Sequence, residues 1–358
     1  MCRGMDEKMN ACTLFLMLIC LGFRVSGKTL EVGPDKTYAS LSRAVSEAVS
    51  GDTICVYPAP LSTSYPQVAL RITCSNLTIR AIGAVVLDGE GFDYSGRGTT
   101  PRAIVQFDPG ADNCILEGFT LIHARNSSYN GAGVRINQAN GITIRSCTIR
   151  NNDMGVMSNG SVAQQRGMHQ LIEECSITDN GTTLEPGFNH NLYLGGVDVT
   201  VRRCEIARAV TGHNLKSRAH VTIVEDCLIY HSANREVDIV DDAGNTDIPG
   251  SDAILRNNRI IKSKTCTGNR GVIHFGKDQR ATRSGTLTLE GNMIETPYVT
   301  PIVIMSAGEK VVFSNNQVHD FGAAQRGVVV DAAGRKIEVI HSGNRLPEAF
   351  VLQASPSD

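Results

Sequence analysis

The sequence predicts an all-β protein, a right-handed parallel β-helix (a three-sheet solenoid) with a short N-terminal capping helix. Three observations lead there. A phrase recurs in the form of an apolar alternating run, a polar pair, Cys or Asn, and a second short apolar run: "GITIRSCTIRNN", "HQLIEECSITDN", "VTVRRCEIARA", "VTIVEDCLIYHS", "AILRNNRIIKS", "LTLEGNMIETP" and "KVVFSNNQVHDF". Its marker residue advances through Cys147, Cys175, Cys204, Cys227, Asn258, Asn292 and Asn316, in steps of 23 to 34 residues. Composition supplies the third: Gly is frequent at 35 residues, aromatics are sparse at 5% and Trp is absent, which suits short strands and tight corners better than helices.

Units this short cannot bury their own apolar face and must stack on neighbours. Each holds about three runs with period-two alternation, separated by Asn, Gly, Ser and Asp. Laid parallel, equivalent residues sit ~4.8 Å apart, so the marker Asn side chains can hydrogen-bond from coil to coil. A β-sandwich or propeller would need hairpin turns and an even period, whereas here hairpin turns are scarce and the period is uneven.

Taken in order, residues 1–27 read as a cleaved secretion signal. A polar start with Arg3 and Lys8 precedes an apolar run from Ala11 to Phe23, too short to span a bilayer, and small residues follow. An uncleaved anchor is the alternative. Residues 28–75 form an N-terminal cap and the first coils. In "YASLSRAVSEAVSGD", Leu41, Ala44, Val45, Ala48 and Val49 share one helical face that ends at Gly51. Such a helix would shield the open end of a stacked sheet from edge-to-edge association. The β-helix proper covers 76–346, and 347–358 is a polar tail.

A net charge of −2 gives no sequence-independent grip on nucleic acid, and once the signal is removed no membrane segment remains. Export permits disulfides. Eight of the eleven Cys lie beyond the leader, yet four occupy one repeat position and read as a buried column of free thiols. Cys55 and Cys74 are the pair that a bridge could join. Four sequons, at Asn76, Asn126, Asn159 and Asn180, would make a glycoprotein in a host that glycosylates exported chains.

The opening "VGPDKTYASLSRAVSEAVSGDTICVYPA", followed by coils carrying an Asn column, resembles the pectin-lyase-like superfamily of secreted β-helix proteins. The likeness covers residues 28 to about 350. It implies the fold and a carbohydrate-active role, most directly a polysaccharide lyase; glycoside hydrolases, uronate epimerases and plain glycan binders share the fold. The signatures of particular families are missing or out of order. Here Lys216 and Arg218 precede the acids, and "DD" at 241–242 and "GH" at 212–213 are only fragments of the polygalacturonase set.

In the strand before each marker phrase, Val134, Ile136, Leu192, Leu194, Leu215, Val237 and Ile239 are expected to face inward. Their neighbours Arg135, Asn137, Asn191, Tyr193, Asn214, Lys216, Arg218, Glu236 and Asp238 would then face outward. Stacking should bring Tyr193, Lys216 and Asp238 into one column. Cleaving an acidic polysaccharide by β-elimination requires a neutralised uronate carboxylate, a base for the C5 proton and an acid for the bridge oxygen. Lys216, Arg218 and Tyr193 are the candidate catalytic residues. Asn191, Asn214, Arg135, Asn137, His213 and His190 are candidate substrate contacts, the two histidines stacked at the strand entry. Glu236 and Asp238 offer oxygen ligands, and Ca²⁺ is the cofactor that the resemblance implies for them. A hydrolase would instead use two acids from Glu236, Asp238, Asp241 and Asp242. His274 reads as structural.

Overall fold

The computed structural model describes residues 27–59, 64–184, 188–298, 301–308, 310–320, 329–331, 337–347 and 353–354. The expected leader, Gly27 apart, lies outside them. The strands wind into a parallel β-helix with three stacks. One is an 11-stranded sheet running from Leu70–Ile72 to Gln353–Ala354. The other two form a 20-stranded sheet, because the strands Thr78–Asp88 and Ile115–Ile122 each turn a corner and join both stacks.

Registration is residue on residue. Ile144, Ile172, Val201, Val224, Leu255, Leu289 and Phe313 pair in sequence down one inner wall. All seven are fully buried, and each contributes about 1.5–3 kcal/mol of apolar transfer. On the 11-stranded sheet, Leu192, Leu215, Val237, Ile273 and Val303 form the matching inner column. The inward residues expected from the alternation are all buried.

The marker column answers a corner problem. Each turn leaves a backbone N–H facing the interior, and a buried donor needs an acceptor. Cys175 Sγ accepts from Cys147 N (3.4 Å) and Cys227 Sγ from Cys204 N (3.5 Å). From Cys227 onward Asn takes over: Asn258 Oδ1 accepts from Cys227 N at 2.9 Å. Asn258, Asn292, Asn316 and Asn344 then link amide to amide at 3.0, 2.9 and 3.3 Å. All eight described cysteines are free, Cys55 and Cys74 among them, and burial pushes the Cys114 thiol up to about 11. A thiol reagent should therefore modify Cys55, Cys74 and Cys266 in the native protein. Buried Cys114 and the column Cys147, Cys175, Cys204 and Cys227 should react only after denaturation, as peptide masses will report. Early labelling of Cys175 or Cys204 would contradict a closed core.

Two expectations need correction. The helix spans only Leu41–Glu47, capped by Ser40, whose Oγ accepts from Arg43 N. Leu41 and Ala44 enter the core, but the Asp52 carboxylate takes the Val49 N–H at 2.9 Å and draws the chain out of the helix. Val49 is consequently exposed. The expected polar tail also supplies a strand, Gln353–Ala354, which pairs with Val329–Val330. Of the four sequons, Asn180 is fully buried, so a glycan cannot be accommodated there in the folded chain. Among the described residues no helix is long and apolar enough to cross a membrane.

Candidate active site

On the outer face of the 11-stranded sheet the register runs Arg135, Met157, Tyr193, Lys216, Asp238, His274. The expected column of Tyr193, Lys216 and Asp238 is therefore present. Beside it lies a cleft of about 420 Å³ lined by Asn130, Met154, Met157, Phe188, His190, Tyr193, Lys216, Arg218, Asp278 and Gln279. Arg218 leaves the strand two residues after Lys216 on the same face, and its Nε donates to the Tyr193 hydroxyl at 2.9 Å. Lys216 Nζ meets Asp278 Oδ2 at 2.8 Å, and Arg218 Nη2 bonds the same oxygen. Arg218 Nη1 also reaches the Asp241 carbonyl. Two cations thus close on one carboxylate oxygen, with a phenol alongside.

Burial acting alone would raise the Asp278 pKa, but Lys216 and Arg218 hold its carboxyl below the usual aspartate range. Asp238 lies deeper, 1% exposed, and its position among His213, Lys216, Arg235 and His274 outweighs the cost of burial, so it stays ionised. His190 and His213 stack as expected, 5.0 Å between centroids and 18° apart, and the His213 N–H donates to His190 Nδ1. Burial holds both imidazoles neutral, His213 down to about 4 and His190 well below its ordinary value. His190 also meets Tyr193 edge-on at 5.4 Å. A neutral stacked pair in this position orients the phenol and adds no charge to the cleft.

Several expected site residues lie elsewhere. Asn191, Asn214 and Glu236 point into the solenoid and are fully buried. Alternation governs only extended residues, and each of these precedes its strand, at the corner where chain direction changes. There they extend a second amide ladder: Asn152 to Asn180 (3.0 Å), Asn180 to Asn191 (2.9 Å), Asn191 to Asn214 (2.8 Å) and Asn214 to Glu236 (2.6 Å). Asn137 faces outward but is bound to Asp108 Oδ1 at 3.0 Å. Arg135 is two coils from Tyr193, about 10 Å at ~4.8 Å per step, and contacts Met157.

The Ca²⁺ ligand set does not assemble. Glu236 is inside the wall, with its oxygens taken by Asn214, Ser232 and Lys262. Asp238, outside the wall, already faces four cationic or imidazole side chains, so the two acids cannot share an ion. Nor do Glu236 and Asp241 suit a hydrolase pair. Glu236 and Asp241 are fully buried, and Asp241 Oδ1 accepts from Asp278 N and Gln279 N. Sequence reasoning missed Asp278 and its neighbours in the cleft. Asp278 follows the strand Ile273–Gly276 in "KDQRATRSG", outside the repeat phrase and 62 residues from Lys216, with no periodic signal to mark it.

The family model described as "Right handed beta helix region" matches residues 105–251. No curated protein matches the sequence. Among solved structures, a rhamnogalacturonan lyase superposes with a TM-score of 0.61 at 14% identity, covering 90% of this chain and 90% of its own. A DFA-IIIase from Arthrobacter chlorophenolicus, in complex with DFA-III, gives 0.58 at 9% identity over 91% and 99%. The mannuronan C-5 epimerase A-module of Azotobacter vinelandii gives 0.56 at 11% identity over 87% and 94%. Identities this low carry the fold and not a reaction. The chain is a right-handed parallel β-helix, the fold that it shares with these three structures.

Proposed function

We propose that the protein is a secreted enzyme that cleaves a uronate-containing polysaccharide by β-elimination in the Tyr193–Lys216–Arg218 cleft. The observation that carries this reading is the grip of Lys216 and Arg218 on a single carboxylate oxygen, that of Asp278. The same two cations fit a uronate carboxylate, which displaces Asp278 on binding. Neutralising that carboxylate makes the C5–H of the sugar acidic. Tyr193, acting as its phenolate, takes the proton, the C5 electron pair forms the C4–C5 double bond, and the C4–O bond breaks. The leaving bridge oxygen then recovers the proton from Tyr193. Arg218 Nε, bonded to the phenol oxygen, stabilises the phenolate that is present before proton transfer and restored once the bridge oxygen is protonated. Kinship in fold with a lyase and an epimerase of acidic polysaccharides supports the substrate class.

The test is a panel of pectate, alginate and glycosaminoglycans, each with and without EDTA. Cleavage should produce an unsaturated uronate absorbing near roughly 235 nm and should survive EDTA, since Lys216 and Arg218 provide the positive charge. New reducing ends without that absorbance would assign a hydrolase, and altered sugar composition without cleavage an epimerase. A panel with no product of any kind would leave a glycan binder.

A further inference from the structure

Three side chains from successive coils, none of them used by the cleavage chemistry, are joined by hydrogen bonds. Asp238 Oδ1 lies 2.8 Å from His274 Nδ1, and His274 Nε2 lies 2.7 Å from Ser306 Oγ. An ionised carboxylate can only accept, so Nδ1 carries the imidazole proton and Nε2 offers its lone pair to the hydroxyl. Accessibility grades outward along the relay. Asp238 is 1% exposed, His274 5%, and Ser306 reaches the surface. That gradient shields the orienting acid and presents the oxygen.

The neighbouring backbone is shaped around this oxygen. Ser306 follows the strand Val303–Met305 and is held by its N–H on the Phe275 carbonyl at 2.9 Å. Gly276 occupies the facing position with φ +147°, and a Cβ there would stand 2.3 Å from Ser306 Oγ. Only glycine lets the hydroxyl reach back to His274. The Lys277 N–H donates to Ser306 Oγ at 2.7 Å, a dipole that favours negative charge on that atom. The next residue, Asp278, lines the cleft, so the hydroxyl is bonded to the residue that precedes the cleft wall.

We propose that Asp238, His274 and Ser306 form an acyl-transfer site, with Ser306 as nucleophile, that removes ester-linked acyl groups from a carbohydrate. The Ser306 Oγ–H proton passes to His274 Nε2 as Oγ bonds the acyl carbon, whose carbonyl oxygen takes the negative charge. Collapse breaks the bond from the acyl carbon to the sugar oxygen, which leaves with the proton from His274. Water then attacks the acyl-serine, giving a proton to His274. The acid departs, and Ser306 recovers its proton. Asp238 holds the imidazole in the required tautomer and stabilises the imidazolium. The inference is independent of polysaccharide cleavage, and either can fail alone.

The test is treatment of the full native chain with a fluorophosphonate, followed by peptide mapping, together with hydrolysis of p-nitrophenyl acetate. We expect one phosphonyl adduct, on Ser306, absent from heat-unfolded protein and from Ser306→Ala. His274→Gln should slow both labelling and ester hydrolysis by at least about a hundredfold, as loss of a general base does. No adduct at Ser306 in the native wild-type chain would overturn the assignment and reduce the three residues to a stitch between coils. That arm needs no variant to fold. Labelling of unfolded chain at the native rate would overturn it equally.

Discussion

Lys216→Met is expected to lower kcat/KM on the uronate substrate by about 10²–10³, the usual cost of deleting one group that stabilises transition-state charge. Arg218→Lys should cost as much, although charge is conserved. The guanidinium simultaneously holds the Tyr193 hydroxyl, the Asp241 carbonyl and the Asp278 carboxylate, and an ammonium on a single stem cannot span that fork. The two defects should divide differently. Lys216→Met weakens the carboxylate grip and should raise KM, while Arg218→Lys releases the phenol and should fall mainly on kcat. Asp278→Asn should move the other way. Removing the resident carboxylate frees both cations for substrate, so KM should fall about tenfold, equivalent to one charge-assisted hydrogen bond no longer in competition. Because the folded pKa of Asp278 is depressed, its ion pairs stabilise the fold above the ordinary aspartate range and stop doing so as pH falls through the lowered value. The thermal cost of Asp278→Asn should therefore appear at neutral pH and vanish in acid. Steady-state kinetics on the three variants decide the matter; an unchanged KM in Asp278→Asn would remove the carboxylate-subsite reading.

Much of the architecture is legible in the sequence because its cause is local and repeated. A column of apolar residues at fixed positions, with Cys then Asn at each corner, permits only a stacked parallel arrangement. The register of Tyr193, Lys216 and Asp238 follows once the coils are aligned. Failure begins where alternation stops. Asn214 and Leu215 are adjacent and both face inward, which no period-two rule allows; the strand is three residues long and Asn214 belongs to the bend. The "HNL" shared by two coils marks an internal amide ladder, not a row of substrate contacts. His274 occupies an apolar strand and reads as filler until coordinates place Ser306, 32 residues later, on its Nε2. Asp278 is unreadable for a similar reason: its partners are fixed by coil stacking over 60 and 62 residues, and the segment bearing it has no repeat.

Lys262→Met should destabilise the protein by about 3–5 kcal/mol, the cost of leaving a buried ion without its partner. The ladder explains why a carboxylate is there at all. From Asn152 to Asn214 every side-chain amide donates in the same direction along the stack. A chain of donors must end on an acceptor, and Glu236 is that terminus: Oε2 accepts from Asn214 and Oε1 from Ser232 N. Lys262, fully buried, neutralises it at 3.4 Å and is itself held by the Asn234 and Ser232 carbonyls. Burial pushes the Glu236 carboxyl up to about 7, with Lys262 drawing it back. The folded value lies above the ordinary glutamate value of ~4.3. Stability from this group is consequently fully present below the unfolded pKa and is lost as pH rises through about 7. Without Lys262 the carboxyl would hold its proton to still higher pH, so the variant's deficit should be small at pH ~5 and largest above ~8. In Glu236→Gln/Lys262→Met the deficit should shrink, because an amide oxygen still ends the ladder while its NH₂ takes the carbonyls that Lys262 releases. Thermal unfolding of wild type, single and double variants across pH measures each step. A deficit in Lys262→Met that does not grow with pH would show that Glu236 carries no charge in the core.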